Sequence, residues 1–200
     1  MHEVRPDKTT ERAIPGNISD FINSLKVLSR GDKAVLRRNA GNTLARSRNA
    51  LGLFYRIVPH GIAGGRYEEI FFLVATLFGY NEVPHSGDFG TTMRKVKQFT
   101  QSNSPNSLDR RMAILLDSDF DWVEHSLNGG GEIAYRLRQC VKLAAGHHVG
   151  VDWPALLNDL LWWMHSDKKA RKRWARSYFG HQNLEEINTS EIKEEEKNVD

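Results

Sequence analysis

Apolar residues recur every three or four positions along most of the chain, which is the spacing of one face of an α-helix. The first such stripe comprises Phe21, Ile22, Leu25 and Leu28, and it follows Ser19, a residue that can cap a helix. The alternation of apolar and polar residues that marks a strand is scarce. The pattern therefore predicts an all-α protein of about nine to ten helices.

The predicted helices of the first half cover residues 19–28, 31–38, 43–57, 66–78 and 91–101. The segment from Arg66 to Phe78 is apolar nearly all round and is therefore the expected buried centre of an N-terminal bundle. Pro84, Gly87 and Gly90 predict a loop over residues 81–90.

The second half repeats this organisation after a candidate linker at residues 102–106, which reads Ser-Asn-Ser-Pro-Asn. Its predicted helices cover residues 108–116, 120–127, 132–145, 153–164 and 168–179. Asp152 should cap the fourth of these, with Pro154 in its first turn, and Ser166 or Asp167 should cap the last.

We therefore expect two small helical bundles in one chain, over residues 19–101 and 107–180. Residues 1–18 are expected to form a flexible N-terminal arm. Residues 181–200 are expected to form an acidic disordered tail, and Gly129–Gly131 a flexible break between two helices.

Composition narrows the class of protein. The chain has a single cysteine, Cys140, which excludes a disulfide framework and any zinc cluster built from cysteines. The charged N-terminus has no signal-peptide core, and no apolar run approaches the ~20 residues of a membrane span. We expect a soluble, cytoplasmic protein without membrane contacts.

The net charge of +3 hides a strong asymmetry. The last 20 residues hold seven acids and two bases, so the other 180 carry 26 bases against 18 acids. A basic body indicates a polyanionic partner such as nucleic acid, although an ordinary surplus of Lys and Arg stays an alternative.

The predicted last helix is cationic on one side. At about 100° per residue, five cations fall in one arc of roughly 140°, opposite Ala170, Trp174 and Tyr178. Arg171 lies on the apolar side. These five cations, which predict phosphate contacts, are Lys168, Lys169, Lys172, Arg173 and Arg176.

Further cations lie on other predicted helices in both halves of the chain. A nucleic-acid strand lying along the surface fits such a distribution better than a single groove-reading helix does. The cations expected to bind nucleic acid there are Lys33, Arg37, Arg38, Arg110, Arg111, Arg138 and Lys142. Helical spacing should let Lys33 with Arg37, and Arg138 with Lys142, each present a pair of charges.

Catalytic patterns are weak. His147 and His148 are adjacent and have no further ligand at metal-binding spacing. The alternating Asp117, Asp119 and Asp121 lack the glycine and the glutamate of a calcium loop, and Asp119 is expected to cap the following helix. We expect no catalytic residue, no metal and no cofactor.

Five blocks, in order along the chain, resemble the small subunits of the CasB family. They are residues 31–38 (GDKAVLRR), 110–119 (RRMAILLDSD), 136–143 (RLRQCVKL), 151–162 (VDWPALLNDLLW) and 174–179 (WARSYF). Each block alone is modest, but the ordered set is specific. The Gly129–Gly131 stretch and the acidic tail depart from the family pattern.

The resemblance implies a non-catalytic small subunit of Cascade, the type I-E CRISPR surveillance complex of antiviral defence. Its partners would be a second copy of itself, the large and backbone subunits, the CRISPR RNA and the target DNA. Its basic surface would hold the displaced non-target DNA strand without reading its sequence.

Two other functions fit parts of the sequence. A stand-alone helical DNA-binding regulator would use residues 44–57, with Arg46 and Arg48, as a recognition helix. A small metal-dependent nuclease would use Asp117 or Asp119.

Overall fold

The computed structural model describes residues 18–100, 105–123, 126–127 and 131–180. Within these residues it contains nine α-helices, which confirms the predicted all-α class. In chain order the helices are α1 (Ile18–Lys26), α2 (Arg30–Arg38), α3 (Arg48–Ile57), α4 (Glu68–Phe78), α5 (Phe89–Thr100), α6 (Pro105–Asp117), α7 (Gly131–Gly146), α8 (Trp153–Leu161) and α9 (Lys169–Phe179). The predicted arm up to residue 17 and the acidic tail lie outside the described residues.

Helix α4 is the buried centre of the first half, as its apolar sequence predicts. Every residue from Ile70 to Phe78 is buried. Phe71 meets Phe21 of α1 edge to face, with ring centroids 4.9 Å apart, and Phe72 meets Phe54 of α3 at 5.2 Å. A helix that is apolar on all sides is stable only when neighbours cover it on all sides, and α2 and α8 also pack on α4.

The two halves of the chain share one core. Helix α8 packs on α1 and α4, and α9 packs along α5. The amide of Asn81 donates to the carbonyl of Val149 at 2.7 Å, while the indole of Trp153 donates to the carbonyl of Asn81 at 2.9 Å. The division into two bundles stays a prediction. Of the predicted linker, residues 102–104 lie outside the described residues, and Pro105 already begins α6.

Two helix starts illustrate how local sequence sets the boundaries. The carboxylate of Asp152 accepts a hydrogen bond from the backbone amide of Ala155 at 3.0 Å, so the predicted cap of α8 is confirmed. The prediction that Ser166 or Asp167 caps α9 is wrong. Lys168 directly precedes that helix in a left-handed conformation, and no side chain caps it.

The predicted helix over residues 120–127 is also wrong. Strand β1 (Trp122–Val123) pairs antiparallel with strand β2 (Ser126–Leu127). Asp119 does not cap a helix there, because its carboxylate pairs with Arg171 of α9. A short apolar run is compatible with either a helix or a strand, and tertiary contacts decide between them.

Gly131 starts α7 where the chain passes very close to itself. It has a positive φ of 59°, and a Cβ placed there would lie 2.6 Å from the amide nitrogen of Asp121. Only glycine fits both conditions. Gly129 and Gly130, the rest of the predicted flexible break, lie outside the described residues.

The predicted helix over residues 43–57 is interrupted. A 3-10 turn covers Leu44–Arg46, and α3 begins only at Arg48. Ser47 between them has φ −115° and ψ 49°, which breaks the helical path. The recognition helix that a DNA-binding regulator would need is therefore not continuous, and this weakens that alternative.

Candidate nucleic-acid interface

Helix α7 has a polar face that combines cations with an aromatic ring. Its buried face carries Ile133, Leu137, Val141 and Ala144, as the apolar stripe predicts. Successive residues of a helix are about 100° apart around its axis. On this basis the polar side of α7 is an arc of roughly 160°, with Arg138 at one edge and Arg136 at the other. We give the name α7 strip to five residues of this side, which are Arg138, Lys142, Tyr135, Gln139 and Arg136. Glu132 and Leu143 fall in the same arc.

At one edge of the strip, Arg138 packs against the loop that follows α2. A Cβ placed on Gly41 would lie 3.1 Å from Cδ of Arg138, so the glycine leaves room for the arginine stem. Gly41 also has a positive φ of 82°, which glycine tolerates best. The Nε of Arg138 is buried and has no hydrogen-bond partner.

Lys142 and Arg37 both lie near the end of α4. The ammonium of Lys142 lies over the ring of Tyr80, 5.7 Å from its centroid. The preceding residue, Gly79, packs against α2, where a Cβ would lie 3.0 Å from Cβ of Arg37. Arg37, Arg38 and Lys142 are exposed. Arg37 and Lys142 contact adjacent residues, Gly79 and Tyr80, so both predicted cations lie near the same end of α4.

At the other edge of the strip, α6 and α7 enclose a cleft of about 230 Å³. We call it the α6–α7 cleft, and its lining residues are Arg111, Tyr135, Arg136, Gln139 and Cys140. Arg111 and the neighbouring Arg110 are exposed, as their predicted role requires.

Tyr135 of the cleft is 53% exposed, and the guanidinium carbon of Arg136 lies 5.5 Å from its ring centroid. Sequence reasoning missed Tyr135 and Gln139. The signal was present, since both side chains fall between Arg138 and Arg136 on a helical projection of residues 132–145.

Lys33 differs from the other predicted cations, because its charge is already paired. Its ammonium lies 2.6 Å from the carboxylate of Glu82 and donates to the carbonyl of Lys26 at 2.9 Å. Its side chain is only 13% exposed. The expected pair of free charges at Lys33 and Arg37 is therefore wrong, and a phosphate contact by Lys33 stays a prediction with a weaker physical basis.

The cations of α9 divide into exposed and structural groups. Ala170, Trp174 and Tyr178 are buried, which confirms the apolar side of this helix. On the other side the exposed cations are Lys168, Lys169, Lys172, Arg173 and Arg176. Lys169 lies 3.6 Å from the carboxylate of Asp167, and both groups are more than half exposed.

Arg173 is tied to two acidic residues although it is half exposed. Its guanidinium donates to the buried carboxylate of Asp159, and its Nε lies 3.9 Å from Asp88. The other oxygen of Asp159 accepts from the indole of Trp174 at 2.6 Å. Burial raises the pKa of Asp159, while the Trp174 hydrogen bond and the Arg173 charge oppose that rise.

Arg171 has an entirely structural position. It is buried on the apolar side of α9, pairs with Asp119 and donates to the carbonyl of Leu116 at 3.2 Å. Its guanidinium also lies 4.9 Å from the ring centroid of Trp163. Of the two carboxyl candidates for a nuclease, Asp119 thus pairs with an arginine, and Asp117 is exposed at the end of α6.

Among the described residues, the side chains that commonly bind metal ions are not gathered at one place. No group of three or more His, Cys, Asp or Glu side chains there could hold a metal ion. The ring of His147 stacks on Phe99, with centroids 6.4 Å apart. Cys140 is a buried core residue, as predicted, and burial raises its thiol pKa to about 12. None of the described helices is long and apolar enough to cross a membrane.

The fold and the exposed cations of the described residues define a small helical protein with a basic surface. Comparison with known sequences identifies the family. The sequence model of the CRISPR-associated protein Cse2 matches residues 32–179. The Cse2 protein of Thermus thermophilus is 32% identical over 124 residues, which make up 62% of this chain and 64% of that protein. That match thus spans slightly less than two thirds of the relative.

Solved structures share the fold over more of their length. A Cse2-family protein from Thermus thermophilus superposes with a TM-score of 0.62 at 28% identity, covering 82% of this chain and 97% of that one. For M. ruber CasB the TM-score is 0.60 at 24% identity, covering 92% and 98%. A chain of a CRISPR RNA-guided surveillance complex gives 0.63 at 19% identity, covering 86% and 98%.

This chain belongs to the Cse2 family of CRISPR-associated proteins. The family match covers about three quarters of its length, and the resemblance to CasB drawn from five sequence blocks is thereby confirmed.

Proposed function

We propose that the chain is the small subunit of a type I-E CRISPR RNA-guided surveillance complex and acts there by binding, without catalysis. Its partners are a second copy of itself, the large and backbone subunits, the CRISPR RNA and the target DNA. One chain of a CRISPR RNA-guided surveillance complex shares this fold with a TM-score of 0.63.

Within that complex, the basic helices hold the displaced non-target DNA strand. The observation that carries this role is the α7 strip, where partly or fully exposed cations flank an exposed aromatic ring on one helix face. Cations bind phosphates without regard to sequence, and aromatic rings accept any base. The free energies of a DNA duplex and of the RNA–DNA hybrid that replaces it are nearly equal. A subunit that holds the freed DNA strand therefore shifts the equilibrium towards the hybrid.

The experiment compares complexes assembled with the wild-type subunit or with the double variant Arg111→Glu, Lys142→Glu. Lys142 belongs to the α7 strip and Arg111 lines the α6–α7 cleft, and both are exposed. We expect normal assembly, weaker binding of target DNA and greater access of a single-strand nuclease to the displaced strand. Normal binding and normal protection by an assembled double variant would contradict the role.

A charge-matched control separates a local effect from a general loss of positive charge. Lys26→Glu with Arg56→Glu changes the net charge by the same amount, on α1 and α3. Arg56 is 70% exposed and its only described carboxylate partner, Asp32, is 4.0 Å away. This control should bind and protect DNA as the wild type does.

A further inference from the structure

The α6–α7 cleft combines two guanidinium groups with an exposed aromatic ring. Arg111 approaches it from α6, and Arg136 from α7. Both guanidiniums lie near enough to Cys140 for their charges to favour its thiolate, although burial outweighs them. The thiol therefore stays neutral, and the arginines supply the positive charge of the cleft wall.

Among the described residues, Glu132 is the acidic group that pairs with one of these arginines. The carboxylate of Glu132 accepts from Nη2 of Arg136 at 2.8 Å and from its Nε at 3.1 Å. The side chains of Arg111, Arg136 and Glu132 together carry one net positive charge, and Nη1 of Arg136 takes no part in the pair with Glu132. This charge suits a single phosphate group.

Tyr135 adds a contact that phosphate binding does not require. Its ring is 53% exposed in the centre of a polar strip, where burial of apolar area contributes little to folding. Gln139, on the same cleft wall, carries both a hydrogen-bond donor and an acceptor. A flat ring, an amide and a cation around about 230 Å³ are complementary to a base, its polar edge and its phosphate.

We propose that the α6–α7 cleft binds one unpaired nucleotide of the DNA strand, with the base against Tyr135 and the phosphate held by Arg111. The inference rests on the proposed function and makes it more specific. The subunit then holds the strand by charge along the α7 strip and by stacking at one fixed point.

The test measures affinity of the full chain for two labelled oligonucleotides of equal length, by fluorescence anisotropy at low salt. One is oligothymidylate, and the other has the same phosphates with abasic sugars. The wild type should bind oligothymidylate about five-fold more tightly, since stacking on an aromatic side chain is worth at least that much. Tyr135→Leu should remove the difference, and Tyr135→Phe should keep it.

Tyr55→Leu is the matched control, because Tyr55 is 49% exposed on α3, away from the cleft. It should leave both affinities unchanged. Glu132→Gln should tighten binding of both oligonucleotides by removing the charge that opposes the phosphate. In addition, a strand carrying 5-iodouracil should crosslink to the peptide that contains Tyr135.

The possible failures are distinguishable. Equal wild-type affinity for both oligonucleotides, or an equal loss for both in Tyr135→Leu, overturns the nucleotide site and leaves salt-dependent strand binding intact. No binding of either oligonucleotide overturns the proposed function as well. Tighter binding of oligouridylate than of oligothymidylate, abolished by Tyr135→Leu, overturns the assignment of the cleft to the DNA strand.

Discussion

The hydroxyl of Tyr178 donates a hydrogen bond of 2.7 Å to the carboxylate of Asp109, and this bond joins α9 to α6. The ammonium of Lys97, on α5, lies 2.9 Å from the same carboxylate. Lys97 is buried and also lies 5.6 Å from the centroid of the Tyr178 ring. One carboxylate thus connects three helices. The pKa of Tyr178 is raised mainly by burial and further by the hydrogen bond to the Asp109 carboxylate.

Asp109→Ala should therefore destabilise the protein strongly, by about 3 kcal/mol, because it leaves the charge of Lys97 buried without a partner. Tyr178→Phe should cost about 1 kcal/mol, since it removes one hydrogen bond and keeps the ring. Urea unfolding followed by circular dichroism measures both. Equal costs for the two variants would show that the buried ammonium does not depend on Asp109.

Gly90 sets the distance between α5 and α9. A Cβ at this position would overlap the carbonyl oxygen of Trp174. Gly90→Ala should therefore force the helices apart and destabilise the protein by about 1–3 kcal/mol. Gly52, which is exposed on α3 with nothing within 4 Å of its added Cβ, provides the control.

Gly52→Ala should stabilise the protein by up to about 1 kcal/mol, because alanine favours a helix over glycine. Thermal unfolding of both variants checks the pair. A Gly90→Ala protein as stable as the wild type would contradict the close approach of the two helices.

Cys140 should be unreactive in the folded protein. Its thiol pKa of about 12 means that very little thiolate exists at pH 8, whereas an unfolded cysteine has a pKa of about 8.5. Ellman's reagent should thus label native protein at least tenfold more slowly than protein in guanidinium chloride. Stability should also fall as pH rises from about 8.5 towards 12, because only the unfolded thiol then loses its proton.

Cys140→Ala controls for the other groups that titrate in this range, and its unfolding free energy should depend less on pH. Rapid labelling of the native wild type would show that the thiol is accessible from the α6–α7 cleft.

Local sequence was sufficient for features that depend on neighbours in the chain. The buried α4 follows from an apolar run, and the cap of α8 follows from Asp152 placed before Trp153-Pro154. The fates of individual cations could not be predicted in this way. Lys33 pairs with Glu82, 49 positions away, and Arg171 pairs with Asp119, 52 positions away. Only the packing of the helices brings such groups together.

Tryptophans show the same limit at a single position. From the sequence, Trp162 and Trp174 lie on apolar helix faces and Trp153 follows the capping Asp152, which predicts a structural role for all three. Trp153 and Trp174 are buried. In the pair at the end of α8, however, the fully buried residue is Trp163, whose indole donates to the carbonyl of Ser118 at 2.9 Å. Trp162 is partly buried, packs against the core and meets the ring of His165 edge to face. A break in the helix after Leu161 shifts the face, and the apolar pattern does not reveal it.

Strand binding should depend steeply on salt, because phosphate contacts release counterions. For single strands the logarithm of the binding constant falls by roughly 0.7 per contact for each unit of log salt concentration. Lys142→Gln should reduce this slope by about that amount. The measurement is a titration at several salt concentrations, and an unchanged slope would remove Lys142 from the phosphate contacts.

Lys172 and Arg173 are adjacent on α9, but neutralising each should have a different effect. Removal of the Arg173 charge should mainly reduce stability, and removal of the Lys172 charge should mainly reduce strand binding. Arg173→Gln leaves the buried carboxylate of Asp159 without its charge partner, so it should cost about 2 kcal/mol of stability. Lys172 is exposed next to it, and Lys172→Gln should change stability by less than about 0.5 kcal/mol.

For strand binding, the order of the two effects should reverse. Lys172→Gln should weaken affinity for oligothymidylate, whereas Arg173→Gln should weaken it less, since Asp159 and Asp88 already offset the charge of Arg173. Urea unfolding and anisotropy on the same two variants test this. If Arg173→Gln were as stable as the wild type and bound the strand more weakly than Lys172→Gln, the guanidinium of Arg173 would be a phosphate ligand and its pairing with Asp159 would be dispensable.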